Sequence, residues 1–298
     1  MDPQWDDLKV FLAVARAESL SGAGKLLKVD PATVGRRVGR LEDALGTLLF
    51  VKSPQGYALT NEGQRLMAHA IKVEQSLDAA FEDLAGQEGP LTGQIRIGAP
   101  DGSANFLLPK VCADISARHP DLEIQIVALP RIFNLSKREA DMAITVSQPT
   151  AGRLMVQKLT DYKLHLAATR HYLKTNAPIT QLSDLSEHRI VGYIPDMIFD
   201  KELDYLSDQG VQRIAVASNS VSVQINLIKQ GAGVGVVHDF AIPAVRGLRK
   251  ILTEEFSLTR SFYLVRHEDD RRQERLNRFA TELAAGIRET VMELEALT

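Results

Sequence analysis

The chain has 298 residues, 45% hydrophobic and 24% charged, with a formal net charge of -3. That suits a globular protein of two or three compact units and excludes one that coats nucleic acid along its whole surface. A single cysteine excludes an internal disulfide and points to a reducing compartment. An N-terminus carrying Asp2, Asp6 and Asp7 without an apolar core, and no apolar run of membrane-spanning length, give a cytoplasmic location and no membrane partner as the expectation.

Leu8, Phe11, Leu12 and Ala15 recur at helical spacing and predict a helix over residues 6–17. Ser21 is placed to cap a second short helix, with Ala23, Leu26 and Leu27 turned inward. Asp30 then reads as an N-cap and Pro31 as the first residue of a third helix, stopped at Gly46. Val34, Val38, Leu41 and Leu45 form its apolar stripe, and Arg36, Arg37 and Arg40 lie off it. This is the pattern of a helix-turn-helix whose last helix enters a DNA major groove, its arginines reaching phosphates or guanine edges. Residues 48–51 and 57–60 read as two short strands around Ser53-Pro54-Gln55-Gly56, a wing whose cation is Lys52. Between Lys25 and Lys52 stand Lys25, Lys28, Arg36, Arg37, Arg40 and Lys52 against Asp30, Glu42 and Asp43. So small an excess binds DNA weakly as one copy and calls for a dimer. The alternative is a three-helix module with a solvated basic face.

Thr60 caps a long helix over residues 61–85. Its Leu66, Ala70, Val73, Leu77, Ala80 and Leu84 alternate four and three apart, a heptad seam for a second helix, or else a face packed on its own domain. Residues 86–90 break the pattern as a hinge. From Leu91 strands alternate with helices: strands at 94–99, 122–129, 141–146, 162–168, 189–193, 213–217, 233–237 and 261–266, and helices at 106–118, 220–230 and 269–289. The expectation is a parallel sheet with helices on both faces. The junctions Ala99-Pro100-Asp101-Gly102-Ser103 and Ala217-Ser218-Asn219-Ser220 put hydroxyls and free N–H groups at helix starts, suited either to an anion or to plain capping.

The seven histidines are scattered without metal-ligand pairing, and there is no P-loop. Gly231-Ala232-Gly233-Val234-Gly235 enters a strand rather than leaving one, against a dinucleotide site. Cys112, with Leu108, Val111 and Ile115, sits on a buried stripe and reads as structural rather than as a reactive or redox thiol, and His238, which follows a strand, reads as a satisfied structural histidine or else as one that points into the cleft. No catalytic residue, metal or cofactor is expected.

Phe11-Leu12-Ala13-Val14-Ala15 through Arg40-Leu41-Glu42, Leu45-Gly46, Leu49-Phe50, Leu59-Thr60-Asn61-Glu62-Gly63, Arg138-Glu139-Ala140-Asp141-Met142-Ala143-Ile144 and the glycines from Gly231 together resemble the LysR-type transcriptional regulators of bacteria. The resemblance covers nearly the whole chain. It implies a multidomain α+β and α/β architecture: a winged helix-turn-helix (1–60), a dimerising linker helix (61–85), and a two-lobed effector domain like a periplasmic binding protein (91–298). Lobe I would hold 91–161 and 266–298 and lobe II 162–265, with crossings near Asp161 and Val265. It further implies a homodimer or homotetramer on double-stranded promoter DNA, contact with RNA polymerase, and control by a small effector, expected to be anionic. By the same resemblance, Pro31, Ala32, Thr33, Gly35 and Arg36 lie in the DNA-contacting segment, Arg36 matching the family arginine. Ser103, Leu129, Thr145, Tyr193 and Ser218 would line the effector cleft. The chain departs from the family at Gly35, usually serine, at Gly22, Gly24 and Gly39, and in a wing without arginine. An α/β domain that serves assembly only, or an enzyme fused to a helix-turn-helix, are the other readings.

Overall fold

The computed structural model describes residues 4–53, 56–85, 89–128, 140–149, 152–206 and 213–298. The chain divides into two compact units, Met1–Gln87 and Glu88–Thr298.

In the first unit α1 (Trp5–Ala17), α2 (Leu20–Leu27) and α3 (Pro31–Leu45) precede a hairpin of β1 (Phe50–Ser53) and β2 (Gly56–Leu59), then α4 (Asn61–Ala85). Its core joins Phe11 and Val14 of α1 to Val34, Val38 and Leu41 of α3, with the Phe11 and Phe50 rings 5.3 Å apart. The local signals hold at α3: Asp30 Oδ1 accepts from Thr33 N at 2.8 Å, and Gly46 ends the helix at φ 65°. Glu42 then ties the wing to α3, its Oε1 accepting from the N–H groups of Leu49 (2.7 Å) and Phe50 (3.2 Å). Thr60 caps α4 through Gly63 N at 2.9 Å.

Three sequence expectations need correction here. The cap of α2 is Ser19, which accepts from Gly22 N at 3.0 Å, so the helix starts one residue before Ser21. Leu26 is 68% exposed, because in an eight-residue helix the inward face is taken by Leu20, Ala23 and Leu27. Leu45 is 40% exposed, since the unit's buried core on α3 ends at Leu41.

The interior glycines have separate explanations. A Cβ on Gly24 would lie 2.7 Å from Val29 O, so the turn between α2 and α3 closes only over glycine. A Cβ on Gly35 would meet Leu20 Cδ1 at 3.2 Å, whereas one on Gly39 meets nothing within 4 Å. Gly39→Ala should therefore stabilise the first unit by about 1 kcal/mol through helix propensity alone. Urea unfolding followed by Trp5 fluorescence checks this, and a destabilised variant would show that the position is constrained.

The second unit is built on one sheet. β3 (Gly93–Ala99) leads into α5 (Asp101–Phe106) and α6 (Leu108–Arg118); β4 (Leu122–Ala128) and β5 (Met142–Thr145) lie parallel to β3. β6 (Leu154–Thr169) runs into α7 (Arg170–Thr175), followed by β7 (Ile190–Gly192), β8 (Val216–Ala217), α8 (Val221–Lys229), β9 (Val234–His238), β10 (Leu248–Ile251), β11 (Leu258–His267) and α9 (Glu274–Glu295). The strand order is β4-β3-β5-β11-β6-β9-β7-β8, with β10 on β6. The sheet is thus mixed rather than parallel: β6 and β11 pair antiparallel along ten residues of β11 and join two halves, β3–β5 on one side and β7–β9 on the other. β6 passes between the halves around Leu164, which pairs with both Leu258 and His238. The return comes earlier than Val265. Tyr263–Arg266 already pair with β5, so β11 crosses by its bulge at Phe262/Tyr263. α9 then packs on the first half, so closely that a Cβ on Gly286 would lie 2.7 Å from Val111 Cγ1.

The DNA-facing helix and the cleft between the halves

On α3, Pro31, Ala32 and Arg36 are exposed, and Thr33, Gly35 and Arg37 half-buried. Thr33 Oγ1 donates to Asp30 Oδ2 at 2.6 Å, and the Thr33 hydrogen bonds hold the Asp30 carboxyl below the usual carboxylate range. The cap is therefore fully charged at neutral pH and complements the helix start. Among the described residues Arg36 and Arg37 have no intramolecular polar partner.

Arg40 behaves otherwise. Its Nε donates to Asp7 Oδ2 at 2.7 Å and its Nη2 to Asp7 Oδ1, a bidentate pair with a carboxylate only 2% exposed. The guanidinium, expected on DNA, also compensates a buried charge on α1, where a carboxylate needs a partner. Lys52 is exposed on the wing, its Nζ 5.8 Å from the centre of the Tyr57 ring.

The heptad positions of α4 split. Ala70 is buried in the first unit's own core and Leu66 packs against it, while on the same helix Glu74 pairs with Arg16 of α1 at 2.6 Å. Val73 and Leu77, 47% and 37% exposed, stand clear of the core. The side chain of Leu84 lies outside the described residues.

In the second unit a small pocket of about 20 Å³, room for about one water, lies between the halves. Asp101, Ser103, Tyr193, Asn219, His238 and Phe262 are among its walls. Of the expected effector residues, Ser103 and Tyr193 therefore meet there. Ser103 is buried and its Oγ donates to Pro100 O at 3.0 Å. Thr145 and Ser218 do not reach the pocket. Thr145 Oγ1 donates to Ser147 O at 2.7 Å, and Ser218 Oγ accepts from Ser220 N at 3.1 Å. Leu129 lies outside the described residues. A larger cavity of about 260 Å³ lies within the second half, behind Tyr193 and beside Tyr205 and Gln224.

Asp101 is the residue that sequence reasoning left without a role. Its Oδ2 accepts from Ser220 Oγ at 3.1 Å and from Ser222 N at 2.8 Å. The start of α8, expected to hold an anion brought by a ligand, thus already holds a carboxylate from the opposite half. A second tie crosses the cleft where Ser147 Oγ donates to Asp200 Oδ2. An acid followed by Gly102 at a strand end was the available signal, but its partner lies 119 residues away. Gly102 lies beside His238, whose Nε2 would stand in ordinary contact, 3.7 Å, from a Cβ there.

His238 packs in an aromatic cluster. It stacks on Tyr162 (5.4 Å), which stacks on Phe262 (4.1 Å), with Phe240 at 5.0 Å from the imidazole. Among the described residues its Nδ1 is buried without a hydrogen-bond partner, and burial lowers its pKa to about 4. Cys112 is buried on α6, as its stripe suggested, and burial pushes its thiol up to about 12, far from a reactive thiolate. Among the described residues no group of His, Cys, Asp and Glu could hold a metal ion, and no helix is long and apolar enough to cross a membrane.

The LysR substrate binding domain profile matches residues 88–288, and that of the bacterial regulatory helix-turn-helix protein, lysR family, matches residues 5–64. The chain is 29% identical over 248 residues to the HTH-type transcriptional regulator DgdR of Burkholderia cepacia, covering 80% of this chain and 79% of that one. It is 26% identical over 240 residues to the HTH-type transcriptional regulator PtxR of Pseudomonas aeruginosa, covering 79% and 76%. Among solved structures, CrgA, a LysR-type transcriptional regulator from Neisseria meningitidis, superposes with a TM-score of 0.60 at 25% identity, over 95% of this chain and 98% of the other. With a capped, arginine-bearing helix in front and a two-lobed α/β unit behind, the chain belongs to the LysR family of DNA-binding transcriptional regulators and carries that family's effector-binding domain.

Proposed function

We propose that two copies of this chain, paired through the exposed part of α4, place two α3 helices in successive major grooves of a pseudo-palindromic promoter site. Residues 1–60 read DNA, 61–85 pair the copies and 91–298 sense a small effector in the cleft; the expected hinge at 86–90 lies largely outside the described residues. The observation that carries this reading is the exposed first turn of α3. Pro31 and Ala32 stand open at a helix start, and exposed Arg36 has no intramolecular polar partner among the described residues. Arg36 and Arg37 supply phosphate and base contacts, with Lys52 on the backbone beside the wing. Arg40 orients α3 through Asp7 rather than touching DNA. Gly35 lets the helix seat over Leu20. The pairing seam is reduced to Val73, Leu77 and the turns beyond, with further pairing of dimers into tetramers. Effector binding changes the angle between the paired DNA-reading units and so changes promoter output through RNA polymerase. The protein regulates and does not catalyse.

In gel-shift titrations Arg36→Ala should lower affinity and reduce the slope of log affinity against log salt by about one. An unchanged slope and affinity would remove Arg36 from the interface. Leu77→Asp should abolish dimeric binding to a two-half-site probe, because it puts a charge into an apolar seam. If light scattering still shows the native oligomer, the seam lies elsewhere.

A further inference from the structure

The cleft carries information about the charge of its ligand. This inference rests on the reading of the cleft as the effector site and goes beyond it. Anion binding at a helix start needs free N–H groups. At α8 those groups are taken: Ser222 N and Ser220 Oγ both donate to Asp101. An incoming carboxylate would have to evict Asp101 and would then lie beside it, charge against like charge. Among the described walls of the pocket, Asp101 is the one charged side chain. The surroundings are acidic as well. Asp200 ties across the cleft to Ser147. Arg260, whose field reaches Tyr162 and Tyr205, is neutralised by Glu202 at 2.8 Å.

The same walls suit a cation. Tyr193, Phe199 and Phe262 are among the pocket walls, and a desolvated cation beside aromatic rings gains further attraction. His238 also lines the pocket, its Cε1 and Nε2 lying toward Gly102, and the neutral ring has one nitrogen able to accept an N–H. Among the described residues Asp101 Oδ1 receives a single 3.2 Å bond, from Asn105, which leaves acceptor capacity while Oδ2 keeps its contacts with α8.

We propose that the effector of this cleft is a compact organic cation, an ammonium or guanidinium group on a short apolar body, whose charge is received by Asp101. The room for about one water between the halves fits the charged group itself, set between Asp101 Oδ1 and the aromatic wall while Oδ2 keeps its contacts with α8.

The test uses the full-length protein with three matched probes, n-butylammonium, butyrate and n-butanol, with agmatine as a guanidinium probe. Thermal unfolding and calorimetry are read at neutral pH. Saturable stabilisation by n-butylammonium or agmatine, absent with butyrate and butanol and at least about tenfold weaker in Asp101→Asn, is the expected result. The comparison among probes needs only the native protein, so it holds even if the variant folds poorly. Stabilisation by butyrate, equal response to butanol, no response to either cation up to about 10 mM, or a cation response unchanged in a folded Asp101→Asn overturns the proposal. Promoter-fragment binding is measured on the same samples. Retained DNA binding with a failed cation response rejects the ligand class alone, whereas lost sequence-specific DNA binding rejects the regulator reading beneath it.

Discussion

Between pH 6.5 and about pH 4 the effector domain should lose about 3 kcal/mol of stability through one imidazole, that of His238. The ring is wholly enclosed by Tyr162, Phe240 and Tyr205, and desolvation is the largest cause of its lowered pKa, only partly opposed by Asp239 and Asp101. The folded protein therefore binds this proton only near pH 4, whereas the unfolded chain binds it near 6.5. Within that window the unfolded state holds more protons, so stability falls as pH falls; it is fully present above 6.5. At about 1.4 kcal/mol per pH unit, the interval gives the stated figure to order of magnitude. Carboxylates titrate in the same range, so the measurement is a difference. Urea unfolding of the native protein and of His238→Phe should diverge progressively from pH 7 to pH 4.5, the native form losing more. Near-ultraviolet circular dichroism at tyrosine wavelengths follows the second unit, which holds five of the six tyrosines, while Trp5 fluorescence records the first separately. A native-minus-variant difference that stays flat across that range would mean that the imidazole is charged or hydrated when folded.

His238 also marks how far the sequence could be read. Its position after a strand was legible, but its burial depends on Tyr162 and Phe262, which come from the two crossing strands. Features set within a few residues were readable from type and spacing alone: Asp30 before Pro31, Gly46 after Leu45, Thr60 three residues before Gly63. Strand direction has no such signature, and the antiparallel pairing of β6 with β11 emerged only in three dimensions. The first half of β6 was hidden because Val156, Gln157 and Lys158 are exposed and break the alternation that identifies a half-buried strand. The site residues follow the same division. Arg36 needed only its own helix to be placed. Arg40 and Asp101 took their roles from Asp7 and Ser220, 33 and 119 residues away, and a basic or acidic letter does not disclose whether a distant partner will claim it.

The largest single-residue loss in the effector domain should come from Gly233→Ala, at about 3 kcal/mol or more, above the usual range for an added methyl group because a backbone must move to admit it. The three glycines from Gly231 are required for different reasons. Gly231 sits at φ +78° after α8, in the left-handed region, and alanine there should cost about 1 kcal/mol of conformational strain. Gly233 and Gly235 have no such φ; what they lack is space. A Cβ on Gly233 would lie 2.1 Å from Arg189 O, and one on Gly235 would lie 2.7 Å from Val191 O and 2.8 Å from Ile228 Cδ1. The obstacle at Gly233 is the carbonyl that accepts from Val234 N at 2.9 Å, the bond that starts the pairing of β9 with β7. Admitting a methyl group there means pushing β9 off β7, and β9 ends at His238 in the cleft wall. Gly233→Ala should therefore unfold the second unit at markedly lower urea, well below Gly231→Ala, while Trp5 fluorescence reports an unchanged transition for the first. Equal stability of Gly233→Ala and the native protein would mean that β9 does not approach β7 as closely as its glycine allows, and that the cleft wall is set by some other contact.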